Sequence, residues 1–367
     1  MRVAHVIPGY LPAQGGIEAL IDGVAPVLRD VHQVESSIIV PRFWRERPDE
    51  FVNNGTSVLS IDMPQRYSKA SPVARAARLF RDTRLALDQL KPDLVHLHGI
   101  GHLFAPATNV SKSLGIPVIH HIHGEVDRHT RSSHLDVLRT STYVAAVSTP
   151  VAHSLRSFAR RSEPITVIPN GIPEPTHTTR TQPSPTIAMV GRLEGPKGFV
   201  HGLMAAAKVK QDLPNIRLDV VGLGEELITL QGRAEDLGIA GAVTFHGRLD
   251  RSRTHHVMAG ATAILVPSLI IEGFSLVAAE TAFLGRPVVA YRVGGLTETI
   301  IDQHTGALVP AGNVDALAES THRYLTDQTL RATHGQNARA NARSTFGVER
   351  YAQDLGEYYR TVLNQET

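Results

Sequence analysis

Residues 262–280 read TAILVPSLIIEGFSLVAAE. The run 262–266 is β-branched and aliphatic, Pro267 stops it, and Gly273 and Ser275 suit a tight turn leading into a helix that begins around Leu276. Strand, polar turn and helix start in that order form the repeating unit of a parallel sheet. Free N–H groups at such a helix start offer an anion site, and the helix dipole adds roughly 0.3–1 kcal/mol per charge. Glu272 precedes the helix and Glu280 lies inside it, so the two could face one cleft at different depths. Equally, Glu280 reads as a surface helix residue and Glu272 as a solvated turn residue, because two glutamates eight positions apart are commonplace.

The same alternation extends outward in both directions. Strand-like runs fall at 186–190, 216–221, 242–245, 287–290 and 307–309 in the second half, and at 3–7, 37–40, 58–61, 93–97, 117–122, 143–147 and 165–168 in the first. They show little polar/apolar alternation, as strands covered on both faces should. Helical patterns at 17–28 and 72–90 lie between them, and Ser148-Thr149-Pro150 supplies a hydroxyl cap followed by proline in the first turn. Residues 173–185, PEPTHTTRTQPSP, carry four prolines and four threonines and read as a linker. The expected organisation is an α/β chain with a first doubly wound, Rossmann-like domain over 1–172, the linker, and a second such domain over 186–347. A terminal helical stretch, 348–367, could cross back to the first domain. Two domains of this kind joined by a hinge should place a ligand cleft between the C-terminal ends of their sheets.

Length and composition agree with two domains: 367 residues, 42% hydrophobic and 20% charged. A net charge of only +2 argues against a nucleic-acid-coating protein, and no cysteine is present, which excludes disulfides, thiolate catalysis and iron–sulfur clusters. No apolar run approaches the ~20 residues of a membrane span. The opening MRVAHVIPGY reads as a first strand rather than a signal peptide, so a cytoplasmic protein is expected.

Beyond 262–280, the chemistry clusters at strand ends. Arg192 and Lys197 sit in GRLEGPKG directly after the strand 186–190, where a guanidinium fork and an ammonium suit an anion, although two solvated loop cations would look the same. Gly222 opens a G-x-G turn, but Leu227 stands where a dinucleotide fingerprint needs its third glycine, so NAD is poorly supported. Gly294-Gly295 and Gly15-Gly16 repeat the strand-to-turn geometry. His123, in HHIHG, ends a strand and could point into the same cleft, or be a satisfied structural residue. There is no H-E-x-x-H, EF-hand loop or Asp-x-Asp pair, which favours binding a diphosphate without a metal.

Taken together, the chain resembles from end to end the retaining glycosyltransferases of family 4, which have the GT-B fold. The matching residues are Gly15-Gly16 with Glu18, His123 in HGE, the run 168–171 (IPNG), GRLEGPKG, VGLGEE, FHGRL and the E-x7-E element EGFSLVAAE. The resemblance implies that Arg192 and Lys197 bind the nucleotide diphosphate, Glu280 the ribose hydroxyls and Glu272 the donor-sugar hydroxyls. It further implies that the amides of Gly273, Phe274, Ser275 and Leu276 touch sugar and phosphate, those of Gly15 and Gly16 the diphosphate, and that Gly222 and the turn ending at Leu249 lie at the nucleotide. His123 would contact the sugar near the reacting carbon. The implied reaction is metal-independent hexosyl transfer from a UDP-hexose or UDP-N-acetylhexosamine, with no cofactor, to an unidentified acceptor in glycoconjugate, polysaccharide or metabolite biosynthesis. A GDP-mannose-dependent transfer to a lipid-linked acceptor and, further off, a GT-B sugar-nucleotide epimerase or phosphorylase are the alternatives.

Acceptor clues should lie in the first half, where residues 1–170 hold 19 basic and 15 acidic residues, against 18 and 20 in the remainder. Arg66, Lys69, Arg75, Arg78, Arg81 and Arg84 concentrate there. A basic amphipathic helix of this kind could lie on the inner face of an anionic membrane, at about 1 kcal/mol per cation, or simply be a solvated face. A soluble anionic acceptor would explain the same charges.

Overall fold

In the computed structural model the described residues are 1–10, 15–42, 49–62, 71–100, 104–126, 130–176, 184–270 and 272–366. The chain divides into two compact units: Met1–Pro173 together with Val348–Thr367, and Glu174–Gly347.

The first unit holds β1 (Arg2–Val6), β2 (Glu35–Arg42), β3 (Glu50–Asn53), β4 (Thr56–Asp62), β5 (Leu94–His98), β6 (Val118–Ile122), β7 (Tyr143–Ala146) and β8 (Thr166–Val167) in one sheet of order β3-β4-β2-β1-β5-β6-β7-β8. All neighbours pair in parallel except β3 and β4. That antiparallel edge pair departs from the wholly parallel sheet expected. Its signal was the dipeptide Asn54-Gly55, both at positive φ (49° and 77°), which closes a two-residue hairpin. From β1 the strand order runs outward in both directions, so winding reverses between β1 and β5, the position where doubly wound sheets bind ligands.

Helix Gly16–His32 packs against helix Val348–Glu366 on one face of this sheet, and Pro72–Leu90 packs against Phe104–Ser113 on the other. The terminal helix belongs here because its apolar stripe, Tyr351, Leu355, Tyr359 and Val362, is fully buried among Leu20, Val24 and Leu28. In the helix Pro72–Leu90 the cations are not free: Arg78 pairs with Asp62 and Asp82, Arg81 with Asp82 and Arg84 with Asp88. Arg66 and Lys69 lie outside the described residues, as does the side chain of Arg75. Among the described residues no helix is long and apolar enough to cross a membrane.

The second unit holds β9 (Thr186–Val190), β10 (Arg217–Val221), β11 (Val243–Gly247), β12 (Ala263–Val266), β13 (Val288–Tyr291) and β14 (Gly306–Val309), in the order β11-β10-β9-β12-β13-β14, all parallel. This is the Rossmann order, with its reversal between β9 and β12. Of the proline-rich stretch, residues 173–176 and 184–185 are described, and Glu174 is bonded to Arg343 at 2.6 Å.

Candidate active site

The reversal point of the second sheet gathers residues from two loops. After β9 the chain passes Gly191 and a short turn, Gly195–Lys197, before Gly198, in the left-handed region at φ 68°, starts the helix Phe199–Asp212. After β12 come Pro267, Ser268 and Glu272. The two loops are locked together: Leu269 N–H donates to the Pro196 carbonyl at 2.9 Å, and a side chain at Gly198 would overlap the Pro267 carbonyl. The clamp brings the Lys197 ammonium onto Glu272 Oε1 at 2.7 Å, and Ser268 Oγ donates to the same oxygen at 2.5 Å. Glu272 is therefore no solvated turn residue; its side chain is 14% exposed. Its own carbonyl accepts from Gly295 N–H at 2.6 Å, which explains the Gly294-Gly295 turn. Arg192, by contrast, is largely exposed and bonded to Glu194 at 2.5 Å.

Ser275 caps the helix Leu276–Phe283 by accepting from Ala278 N–H at 3.5 Å, and does so at φ 61°, a region that residues other than glycine seldom adopt. Strain of this kind, of order 1–3 kcal/mol, clusters at functional sites. Phe274 turns inward and stacks edge-on against Phe346 with ring centroids 5.3 Å apart, so only its amide is available to a ligand. Glu280 accepts from Arg251 Nη2 at 3.1 Å, and His255 Nε2 lies 3.4 Å from the same oxygen. Gly222 (φ 144°) donates to the Gly247 carbonyl at 2.8 Å, and a side chain on it would overlap the Gly191 carbonyl, so the turns after β9, β10 and β11 interlock through bare backbone. Leu249 follows that interlock, half-buried. Ser268, Arg251 and His255 escaped the reading of the sequence. Ser268 was within reach of it, as the second residue after a strand.

In the first unit, Gly15 and Gly16 are exposed and start the helix Gly16–His32, but Glu18 folds back onto that start. Burial pushes its carboxyl up, while hydrogen bonds from the N–H groups of Glu18 and Gly15 pull it down. Of the two amides expected to meet a diphosphate, that of Gly15 thus already faces a carboxyl group. His123 is half-buried just past the end of β6, at the outer edge of a group of imidazoles from β1, β5 and β6. His5 Nδ1 lies 3.0 Å from His98 Nε2, and His98 Nδ1 lies 3.0 Å from His123 Nε2. His96 Nδ1 meets the Tyr359 hydroxyl at 2.7 Å. Burial pushes His5 and His123 down to about 4, and His96, His98 and His121 well below the ordinary histidine range.

The fold is GT-B, and comparison with known proteins gives the family. The Glycosyltransferase Family 4 model matches residues 14–174 and the Glycosyl transferases group 1 model residues 176–341. The chain belongs to this glycosyltransferase family, whose donors are nucleotide sugars. Sucrose-phosphate synthase from Thermosynechococcus elongatus has a similar fold, with a TM-score of 0.82 at 21% identity over 99% of both chains. So does Anabaena HepE, solved with UDP-glucose, with a TM-score of 0.77 at 19% identity over 98% of this chain and 100% of that one. Among curated relatives, a glycogen synthase of Mycobacterium tuberculosis is 27% identical over 289 residues, 73% of this chain and 69% of its own length. A GDP-mannose-dependent phosphatidylinositol monomannoside mannosyltransferase of Mycolicibacterium smegmatis is 34% identical over 157 residues, 41% of each.

Proposed function

We propose that this chain is a retaining hexosyltransferase that takes a sugar from a UDP-hexose or UDP-N-acetylhexosamine and needs no metal for the transfer. The observation that carries the reading is the Lys197–Glu272–Ser268 cluster at the reversal point of the second sheet. A cation paired to a carboxylate can be shared with an incoming diphosphate, leaving the carboxylate to accept the sugar hydroxyls. As the glycosidic C–O bond breaks, negative charge collects on the diphosphate, where Lys197, Arg192 and the amides of residues 273–276 stabilise it. Glu280, oriented by Arg251, takes the ribose hydroxyls, and the turns at Gly222 and Leu249 take the nucleoside through backbone. His123, neutral at physiological pH, offers no charge to repel an oxocarbenium-like sugar. Gly16 would offer its amide to the diphosphate directly, and Gly15 only once Glu18 yields its amide. The acceptor attacks from the face the nucleotide leaves, which retains configuration without a covalent intermediate.

A second reading is GDP-mannose-dependent transfer to a lipid-linked acceptor, favoured by the 34% identity to the M. smegmatis mannosyltransferase. Membrane attraction through Arg78, Arg81 and Arg84 would be weakened by their carboxylate partners. Pull-down by vesicles containing anionic lipid at low salt, lost in the triple Arg78/Arg81/Arg84→Glu variant, is the outcome that would support it.

The deciding experiment is release of free sugar from a panel of UDP- and GDP-sugars without acceptor, with and without EDTA. One donor should be hydrolysed slowly and with no loss on chelation. Lys197→Ala and Glu272→Ala should each lose that rate by about 10²–10³-fold, as for removal of one charge-stabilising donor. Full hydrolysis by both variants, or a covalent sugar adduct trapped on the native chain, would overturn the reading.

A further inference from the structure

Five imidazoles lie on one face of the first sheet, contributed by β1 (His5), β5 (His96, His98) and β6 (His121, His123), and all but His123 are fully buried. Hydrocarbon is the ordinary filling for such a place. Two sets of three offer ring nitrogens within 4.8 Å of one another: His5, His96 and His98, and His98, His121 and His123. The first set is largely satisfied by its own bonds, with only His96 Nε2 left over, since His5 Nδ1 faces His98, His5 Nε2 faces Ser36 Oγ at 3.3 Å, and His96 Nδ1 is bonded to Tyr359. The second set is not. His121, 0% exposed, makes no well-formed hydrogen bond on either ring nitrogen and has only the Ile168 backbone beside it, and His123 Nδ1 has only Asn170. With its N–H turned to that backbone, His121 still buries a ring nitrogen whose lone pair has no donor, and a lone pair so placed suits a metal ion.

We infer that His98, His121 and His123 form a binding site for a divalent transition-metal ion of the zinc type. His98 Nδ1 and His123 Nε2 stand 3.0 Å apart. Two nitrogens bound to one tetrahedral zinc at about 2.0–2.1 Å stand about 3.3 Å apart, so a shift of a few tenths of an ångström replaces the hydrogen bond with a shared ion. An all-imidazole donor set selects zinc, cobalt, nickel or copper and disfavours magnesium and calcium, which need oxygen ligands. The remaining nitrogens fit the orienting role that metal-bound histidines require. His98 Nε2 donates to His5 Nδ1, whose Nε2 continues to Ser36. His123 Nδ1 turns toward Asn170, whose buried Oδ1 is otherwise without a partner. Each ring keeps one N–H throughout, so binding needs a tautomer shift and no net proton release. His123, half-buried, is the side from which an ion enters, and the fourth position is left for water.

Occupancy withdraws His123 Nε2, so on the function proposed above the ion suppresses turnover. That consequence rests on the role given to His123; the site itself does not. The test uses the full chain, dialysed against chelator and titrated with cobalt(II) and zinc(II). One equivalent of cobalt should give the intense visible bands of a four-coordinate ion, and one equivalent of zinc should displace it. In 15N-histidine-labelled native protein, three side chains should shift together at that same equivalent. His121→Asn, checked for an unchanged melting temperature, should bind at least tenfold more weakly. Weak six-coordinate cobalt bands, or equal binding by folded His121→Asn, would overturn the site. If the native chain binds zinc stoichiometrically while donor hydrolysis continues at full rate, the site stands and the role of His123 in turnover falls.

Discussion

The two sheets share one winding and differ in what they place at the reversal of strand order. At its reversal the second sheet has the aliphatic strands β9 and β12 and puts its polar groups on the loops beyond the strand ends: Lys197 on Glu272, Arg251 on Glu280. These groups are partly exposed, charged and available to exchange partners with an anion. The first sheet builds polar groups into the strands themselves, as buried imidazoles that burial keeps uncharged. One edge is therefore made to meet charge and the other to avoid it. Fold alone does not distribute chemistry between such edges; the side chains at strand ends do.

The largest effect expected from this contrast is on acid stability. Each buried histidine has a folded pKa below its unfolded value near 6.5, so the unfolded chain takes up the proton first. The stabilisation is complete at neutral pH and is lost as pH falls through about 6.5 toward about 4, the value burial gives His5 and His123. The loss can reach about 1.4 kcal/mol per pH unit for each such group. Calorimetry in chelator-containing buffer should show the first unit's transition falling steeply between pH 7 and 5 while the second unit's moves little. Equal movement of both would break the contrast.

A smaller effect should fall on the second unit alone. Gly222→Ala forces a side chain into the Gly191 carbonyl at φ 144°, and should lower that unit's stability by about 3 kcal/mol while leaving the other transition in place. Both transitions shifting together would mean that the units do not melt independently.

The smallest effect concerns the charged edge itself. Ser268→Ala removes one of the two donors on Glu272 Oε1 and keeps Lys197, so donor hydrolysis should fall about tenfold, near the 1–1.5 kcal/mol of a single hydrogen bond, with unchanged melting. No change in rate would show that Lys197 positions Glu272 unaided.

Much of this was legible in the chain before any coordinates. Runs such as Ile187–Met189 and Ala263–Val266 are apolar without alternation because both faces of those strands are covered, and each leads into glycine or proline ahead of the next helix. Lys197, Glu272 and Glu280 stand out because each follows such a run. The edge strand β3 went unread because its Asn54-Gly55 signal lies in a polar stretch between two stronger strands. Glu18 falls inside the helical pattern 17–28, but only the folded helix start shows that its carboxyl faces the amides of Gly15 and of Glu18 itself.

What the sequence determined by itself was periodicity and punctuation: where the buried parallel strands run and end, and therefore which residues stand at the sheet edges. Those are short-range properties, written in neighbouring side chains. Strand order decided the rest. Lys197 meets Glu272, 75 positions away, because β9 and β12 are adjacent at a reversal of winding. His5 meets His98, 93 positions away, because β1 lies beside β5. No local pattern encodes that adjacency; it is settled by how two apolar faces are covered at once, which only the packed molecule determines.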